Sequence, residues 1–127
     1  MNIRVYYEDT DAGGIVYHTN YLKFCERARS ELFFQNNMVP LEGDESGFVV
    51  KRIEADFKGS AKLGDIVEVK SQLLTHSRVM VKLRQSIYKE DKLLFEMAVE
   101  LVFMKNGKIA RIPESFMTLL STIEVLS

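Results

Sequence analysis

Glu8, Asp9, Asp11, Gly13, Gly14 and His18 fall within one short segment, Tyr7-Glu8-Asp9-Thr10-Asp11-Ala12-Gly13-Gly14-Ile15-Val16-Tyr17-His18-Thr19-Asn20-Tyr21. It separates a short apolar strand pattern from a strongly helical one. Such a junction suits carbonyl chemistry. A helix N-terminus offers backbone N–H groups that lack intrahelical acceptors to a developing negative charge. Glycines let a ligand approach the backbone closely. The Asp11 carboxylate and the His18 imidazole, seven residues apart across the glycine turn, can converge on one bound carbonyl. The segment is read as a candidate active site, and the rest of the chain as its frame.

Each of these residues also has a plainer reading. Asp is common before glycines, so Asp11 taken alone would be an ordinary turn acid. Asp9 is the better candidate for that structural part, bonding loop N–H groups. A lone histidine is more often structural than functional. For His18, the two glycines before it and a plausible helix cap after it tip the balance toward function. His76 is expected to be exposed in a hairpin turn, and Tyr7, as a strand tyrosine, would ordinarily belong to the core.

The elements that must position the segment are legible from periodicity. Ile3, Val5 and Tyr7 alternate as a strand over residues 3–7. Thr19 or Asn20 can cap a helix in which Tyr21, Phe24, Cys25, Ala28, Leu32 and Phe33 recur at helical spacing. Its apolar residues cover more than half the circumference, so it should be enclosed on several sides. Gln35-Asn36-Asn37 ends it, and a polar, glycine-bearing stretch runs to Gly47. The period then becomes two, through Ile53 to Phe57, Val67 and Val69, Val79 to Ile87, and Phe95 to Phe103. Leu63-Gly64-Asp65, Thr75-His76-Ser77, Lys89-Glu90-Asp91-Lys92 and Asn106-Gly107 punctuate these runs, the last as a two-residue hairpin turn. Ile109 to Ile112 read as a short final strand. Pro113, at a first helical position, opens a C-terminal helix through about Leu120. The order predicts an α+β domain over residues 1–127: a long central helix wrapped by an antiparallel sheet, with a short C-terminal helix. Long strands leave exposed edges, and pairing them across a dimer removes those edges.

Composition narrows the function classes. With 127 residues the chain can bury one core but not two, and 46% hydrophobic with 28% charged residues is ordinary for a soluble globular protein. The 17 basic and 18 acidic residues nearly cancel, which argues against a dedicated nucleic-acid binder. Cys25 is the only cysteine, so no intrachain disulfide forms, and its helical position suggests a small buried residue. Two separated histidines and one cysteine give no metal-ligand spacing. Gly13-Gly14 is not followed by the Lys-Ser/Thr of a nucleotide-binding loop. No signal peptide or membrane span is visible, so a cytoplasmic location is expected.

The stretch Arg4 to Leu32 resembles the acyl-CoA thioesterases of the hotdog fold, and within them the Tol-Pal-cluster-associated branch related to 4-hydroxybenzoyl-CoA thioesterase. Tyr7, Asp9, Thr10, Asp11, Gly14, Val16, Tyr17, His18 and Tyr21 carry the likeness, followed by Glu26-Arg27-Ala28-Arg29. Phe57, Ala61 and Gly64-Asp65 extend it more loosely.

The resemblance implies hydrolysis of an acyl thioester to a free acid and CoA, with no cofactor, since CoA is part of the substrate. Asp11 would act as general base on water or as nucleophile. The backbone N–H of His18 would polarise the thioester oxygen, with Gly14 assisting, and Tyr7 would orient the reacting groups. The acyl tail would run near Ile15, Val16 and Tyr21. Lys58, Lys62, Arg78 and Arg84 are candidates for CoA phosphates, though outward-facing charges on strands are usually just solvated. Glu26 and Glu31, on the central helix, are expected to be solvent-facing or salt-bridged. The family implies a homodimer with sites at the subunit interface, often doubled to a homotetramer, and acyl carrier protein is an alternative thioester donor. Two rivals remain at this point: a hotdog hydratase or dehydratase, and a non-catalytic module that binds acyl thioesters or acyl carrier protein.

Overall fold

The structure, a computed structural model, describes residues 1–43 and 45–123. After the short strand β1 (Asn2–Arg4) the chain makes a single 3₁₀ turn, Tyr7–Asp9, and enters helix α1 (Asn20–Phe34). Four long strands follow, β2 (Ser46–Phe57), β3 (Ile66–His76), β4 (Met80–Lys89) and β5 (Lys92–Lys105). A two-residue strand β6 (Lys108–Ile109) and helix α2 (Glu114–Leu120) complete the described chain. Among the described residues, no helix is long and apolar enough to cross a membrane.

The strands form one antiparallel sheet in the order β1-β3-β4-β5-β2, with β6 added to β5. Alternation along β5 buries Phe95, Met97, Val99, Leu101 and Phe103, and Leu94 and Val102 are buried besides, as expected of an interior strand hydrogen-bonded on both sides. The sheet curls around α1, which rests on β3 and β4. Phe24 and Cys25 are fully buried there, and Phe33 is clasped by Phe48 and Phe116. Truncating a ring as buried as Phe24 would cost ~3–5 kcal/mol. This long helix held in a curled antiparallel sheet is the hotdog fold.

Several boundaries differ from the sequence reading, and β3 runs on through His76, which was expected in the hairpin turn and instead pairs with Val81. The first strand ends at Arg4 rather than Tyr7, because the chain turns at Tyr7–Asp9, and Tyr7 projects into solvent instead of joining the core. The final strand shrinks to Lys108–Ile109: the Asn106-Gly107 turn, with φ of 52° and 76°, sets its start. Past Ile109 the Ala110 N–H still reaches Phe103 C=O, but the Ile112 N–H turns to Arg78 C=O. Pro113 stands just before α2, in extended conformation, rather than within its first turn.

Candidate active site

The segment between β1 and α1 is a tight hairpin. Bridges join Thr10 to Val16 and Ile15 to Lys62, and the Asp11 N–H donates to Ile15 C=O at 2.9 Å. At its tip Gly14 has φ +80°, a left-handed conformation that favours glycine. The hairpin is sewn to the β2–β3 connection: the Val16 N–H donates to Ala61 C=O and the Leu63 N–H to Gly14 C=O.

The two aspartates part company here. Asp9 is 2% exposed. Its Oδ2 accepts the Tyr6 N–H at 2.9 Å and its Oδ1 accepts the Asn20 side-chain amide at 3.0 Å, which makes it the structural acid the sequence suggested. Asp11 is exposed. Its Oδ1 accepts the Gly13 N–H at 2.8 Å, while Oδ2 has no partner among the described residues. One carboxylate is consumed by the fold and the other is left available for chemistry.

His18 stands at the entrance to α1, exposed, with its ring 4.5 Å from the Tyr17 ring and 6.1 Å from that of Phe57. The Asn20 N–H turns back to Tyr17 C=O and the Leu22 N–H to Thr19 C=O. The N–H groups of His18 and Thr19 meet no acceptor among the described residues. The Thr19 side chain makes no capping bond, and Asn20, the other cap candidate, points its amide to Asp9 instead. The N-terminus of α1 therefore keeps donors open toward solvent, and with them the positive end of the helix dipole.

The other residues singled out in the sequence are placed unevenly. The Gly14 N–H is already taken by Asp11 C=O at 3.1 Å, so its backbone is not a spare donor. Ile15 reaches the surface, but Val16 and Tyr21 are buried at 4% and 2% exposure. Tyr21 stacks on Phe95, and its phenol oxygen accepts the Ala61 N–H. Burial pushes the Tyr21 phenol up from its ordinary value, with the Ala61 N–H opposing. Burial likewise pushes the Cys25 thiol up to about 12, which fits a small core residue. Tyr7 is 82% exposed, and its C=O holds the Thr10 N–H and hydroxyl. Glu26 is exposed and Glu31 half-buried.

Lys58 and Lys62 are exposed beside Phe57, at the same end of the sheet as His18. Arg78 is not. It lies in the β3–β4 turn, where the Phe103 N–H meets Val79 C=O and the Ile112 N–H meets Arg78 C=O. Phe95 marks the His18 end of β5 and Phe103 the Arg78 end, so the two lie ~26 Å apart along the strand. Within one chain the fold does not bring Arg78 together with Asp11. Arg84 instead lies near Glu96, at 3.5 Å.

Two contributors were not anticipated. Lys92 crosses over Gly59, close enough that a Cβ there would lie 3.4 Å from its Cε and 3.7 Å from its Nζ. This adds a third lysine near Lys58. Phe57, 52% exposed, supplies an apolar wall beside His18 and Tyr21. A cavity of about 1120 Å³ also opens along the C-terminal half of α1, against Phe48, Val69 and Leu83. No residue of the Asp11 hairpin lines it.

Comparison with known proteins agrees with this architecture. Over residues 5–120 the chain matches the model of the thioesterase-like superfamily. It is 53% identical over 88 residues to the acyl-CoA thioesterase YbgC of Helicobacter pylori, a match that takes in 69% of this chain and 65% of that protein. The chain therefore spans just under two thirds of that relative's length. The YbgC acyl-CoA thioesterase of Haemophilus influenzae is 36% identical over 110 residues, covering 84% of this chain and 81% of that one. The crystal structure of a hypothetical protein from Aquifex aeolicus superposes with a TM-score of 0.87 at 28% identity, over 94% of this chain and 97% of its own. The model match runs across nearly the whole chain, from the Asp11 hairpin through α2, and the chain belongs to the thioesterase-like superfamily.

Proposed function

We propose that this chain is an acyl-CoA thioesterase that hydrolyses an acyl thioester to the free acid and CoA, with Asp11 as the reacting carboxylate. The observation that carries this reading is the contrast between Asp9, buried and saturated, and Asp11, exposed with one oxygen free, on a loop tied to the open N-terminus of α1. On the general-base path, Asp11 takes a proton from water as the oxygen bonds to the thioester carbon. The carbonyl electrons move to oxygen, then return to expel the thiolate, which takes a proton. On the nucleophilic path, the Asp11 oxygen itself bonds to that carbon, the thiolate leaves, and water cleaves the resulting anhydride. Both paths place negative charge on the carbonyl oxygen, where the His18 N–H donates. One such donor is worth ~3 kcal/mol of barrier.

Ile15, Tyr17 and Phe57 offer reachable apolar surface for the acyl group, whereas Val16 and Tyr21 act from behind as core. Lys58, Lys62 and Lys92 supply positive charge for the phosphates of CoA, or for the phosphopantetheine of an acyl carrier protein. The partner that would complete the site is a second copy. Strand β2 is a long edge, hydrogen-bonded only to β5, and it exposes Val49, Val50, Ile53 and Phe57. Pairing two such edges about a two-fold axis joins the sheets and removes the open edge. Antiparallel pairing carries the Arg78 end of one copy toward the Lys58 end of the other.

The test is thiol release from short, long and aromatic acyl-CoAs by wild type and Asp11→Asn, side by side. Loss of roughly 10²–10⁴-fold in the folded variant supports the assignment. Release that persists in Asp11→Asn overturns the site, and no release from any substrate by folded wild type overturns the hydrolase. Light scattering of wild type against Ile53→Lys tests the β2 dimer. A monomeric wild type would remove it.

A further inference from the structure

Asp9, Tyr17 and Asn20 close a ring of hydrogen bonds. The Tyr17 N–H donates to Asp9 C=O at 2.9 Å, the Asn20 N–H donates to Tyr17 C=O at 2.8 Å, and the Asn20 side-chain amide donates to Asp9 Oδ1 at 3.0 Å. The remaining Asp9 oxygen holds the Tyr6 N–H, and the Asp9 N–H donates to Tyr6 C=O. Asp9 and Asn20 are 2% and 7% exposed, so water cannot easily substitute for either partner. Of the three links, only the Asn20–Asp9 bond is made by side chains, and it spans eleven residues.

The two reacting groups hang from this ring. Asp11 follows Asp9 by two residues, and His18 sits between the ring members Tyr17 and Asn20. We propose that Asn20 is a positioning residue, whose side-chain bond to Asp9 fixes the distance between the Asp11 carboxylate and the open N–H of His18. This rests on the thioesterase reading for its kinetic consequence, though not for the ring itself. The amide touches no reacting atom. Its effect comes through registry: an acid on one side of the hairpin and an oxyanion donor on the other must meet the same carbonyl. A misplacement of about 1 Å in such a pair can cost 10²-fold in rate.

Side-chain identity at the two positions is reciprocal, and this gives the decisive variant. Asp9→Asn combined with Asn20→Asp reverses the bond: the amide at position 9 can accept the Tyr6 N–H through its oxygen and donate to the carboxylate at position 20. An acid in the first turn of α1 is also favourable to the helix dipole. The experiment compares wild type, Asn20→Ala, Asp9→Asn, and the exchanged pair, by kcat and KM for acyl-CoA hydrolysis, melting temperature, and amide hydrogen exchange. Asn20→Ala is expected to lower kcat roughly 10–100-fold with KM within about two-fold, and to speed exchange at the Tyr17 N–H. The exchanged pair is expected to recover most of kcat and of the protection. Wild-type kcat in folded Asn20→Ala would overturn the proposal. So would an exchanged pair whose kcat is no better than either single variant. If wild type hydrolyses no thioester, the thioesterase reading falls, and exchange at Tyr17 still decides the ring: unchanged protection in Asn20→Ala would sink it.

Discussion

The phenol oxygen of Tyr21 accepts the Ala61 N–H at 3.0 Å, while Ala61 C=O accepts the Val16 N–H at 2.9 Å. One fully buried alanine thus ties the first turn of α1 to the return arm of the Asp11 hairpin. Tyr21→Phe would keep the stacking on Phe95 and strand a buried donor. Leaving such a group unpaired costs about 1–3 kcal/mol. The expected outcome is a melting temperature lower by roughly 3–10 °C, by scanning calorimetry. A variant as stable as wild type would mean that Ala61 finds another acceptor.

The fold was largely legible because the period of the apolar residues switches cleanly. Period two from Ile53 onward and helical spacing from Tyr21 to Phe33 suffice to place a helix in a sheet, and Asn106-Gly107 marks its own turn. Asp9 as a structural acid that bonds loop N–H groups was also legible, and its carboxylate accepts the Tyr6 N–H. Other features were not. Tyr7 extends the strand alternation, yet a one-turn 3₁₀ segment rotates it outward, and nothing in a period-two pattern signals where a strand stops. Asn20 reads as a cap because its side chain suits that part, and its bond to Asp9 depends on the hairpin folding back. Arg78 and Lys58 look alike as outward cations. Only the topology puts them at opposite ends of the sheet.

A half-buried cation on α1, Arg29, invites a double-mutant cycle. Arg29 donates to Gln85 Oε1 at 2.8 Å, and Gln85 Nε2 bonds Cys25 C=O and Ser71 Oγ. Burial pulls the Arg29 guanidinium below its ordinary value, and among the described residues no carboxylate forms an ion pair with it. Gln85→Leu removes the neutral acceptor and is expected to cost roughly 2–4 kcal/mol in urea unfolding. Adding Arg29→Met removes the stranded charge, so the double variant should be more stable than Gln85→Leu alone. Additive losses would show that Arg29 reaches solvent without help.

The adjacent glycines should fail in different ways. A Cβ on Gly14 meets nothing within 4 Å, but its φ of +80° makes Gly14→Ala a backbone cost of about 1–2 kcal/mol. A Cβ on Gly13 would sit 3.3 Å from Asp11 Oδ1, the oxygen that the Gly13 N–H also holds. Gly13→Ala is therefore expected to lower thioester hydrolysis more than stability, and Gly14→Ala the reverse. Parallel measurement of kcat and melting temperature checks this. Equal kcat in the two variants would detach the Asp11 carboxylate from the reaction.

Asp65 gives the fold a defined response to acid. Its Oδ2 accepts the Lys62 N–H at 2.8 Å and lies 3.2 Å from Lys89 Nζ. The Lys62 N–H first, then Lys89, hold this carboxyl below the usual carboxylate value, against the opposing effect of burial. A carboxyl whose folded value is depressed contributes stability that is fully present above its unfolded value, near ~3.9, and lost as pH falls through the folded value. Asp65→Ala should thus be less stable than wild type at pH 7, with the gap closing at a pH well below that unfolded value. Lys89→Met should remove a smaller part, because the backbone donor remains. Salt separates the two contributions, since about 1 M NaCl screens an exposed lysine far more than it weakens a backbone hydrogen bond. Urea midpoints at both pH values, with and without salt, read this directly. A gap that salt abolishes would hand the whole effect to Lys89.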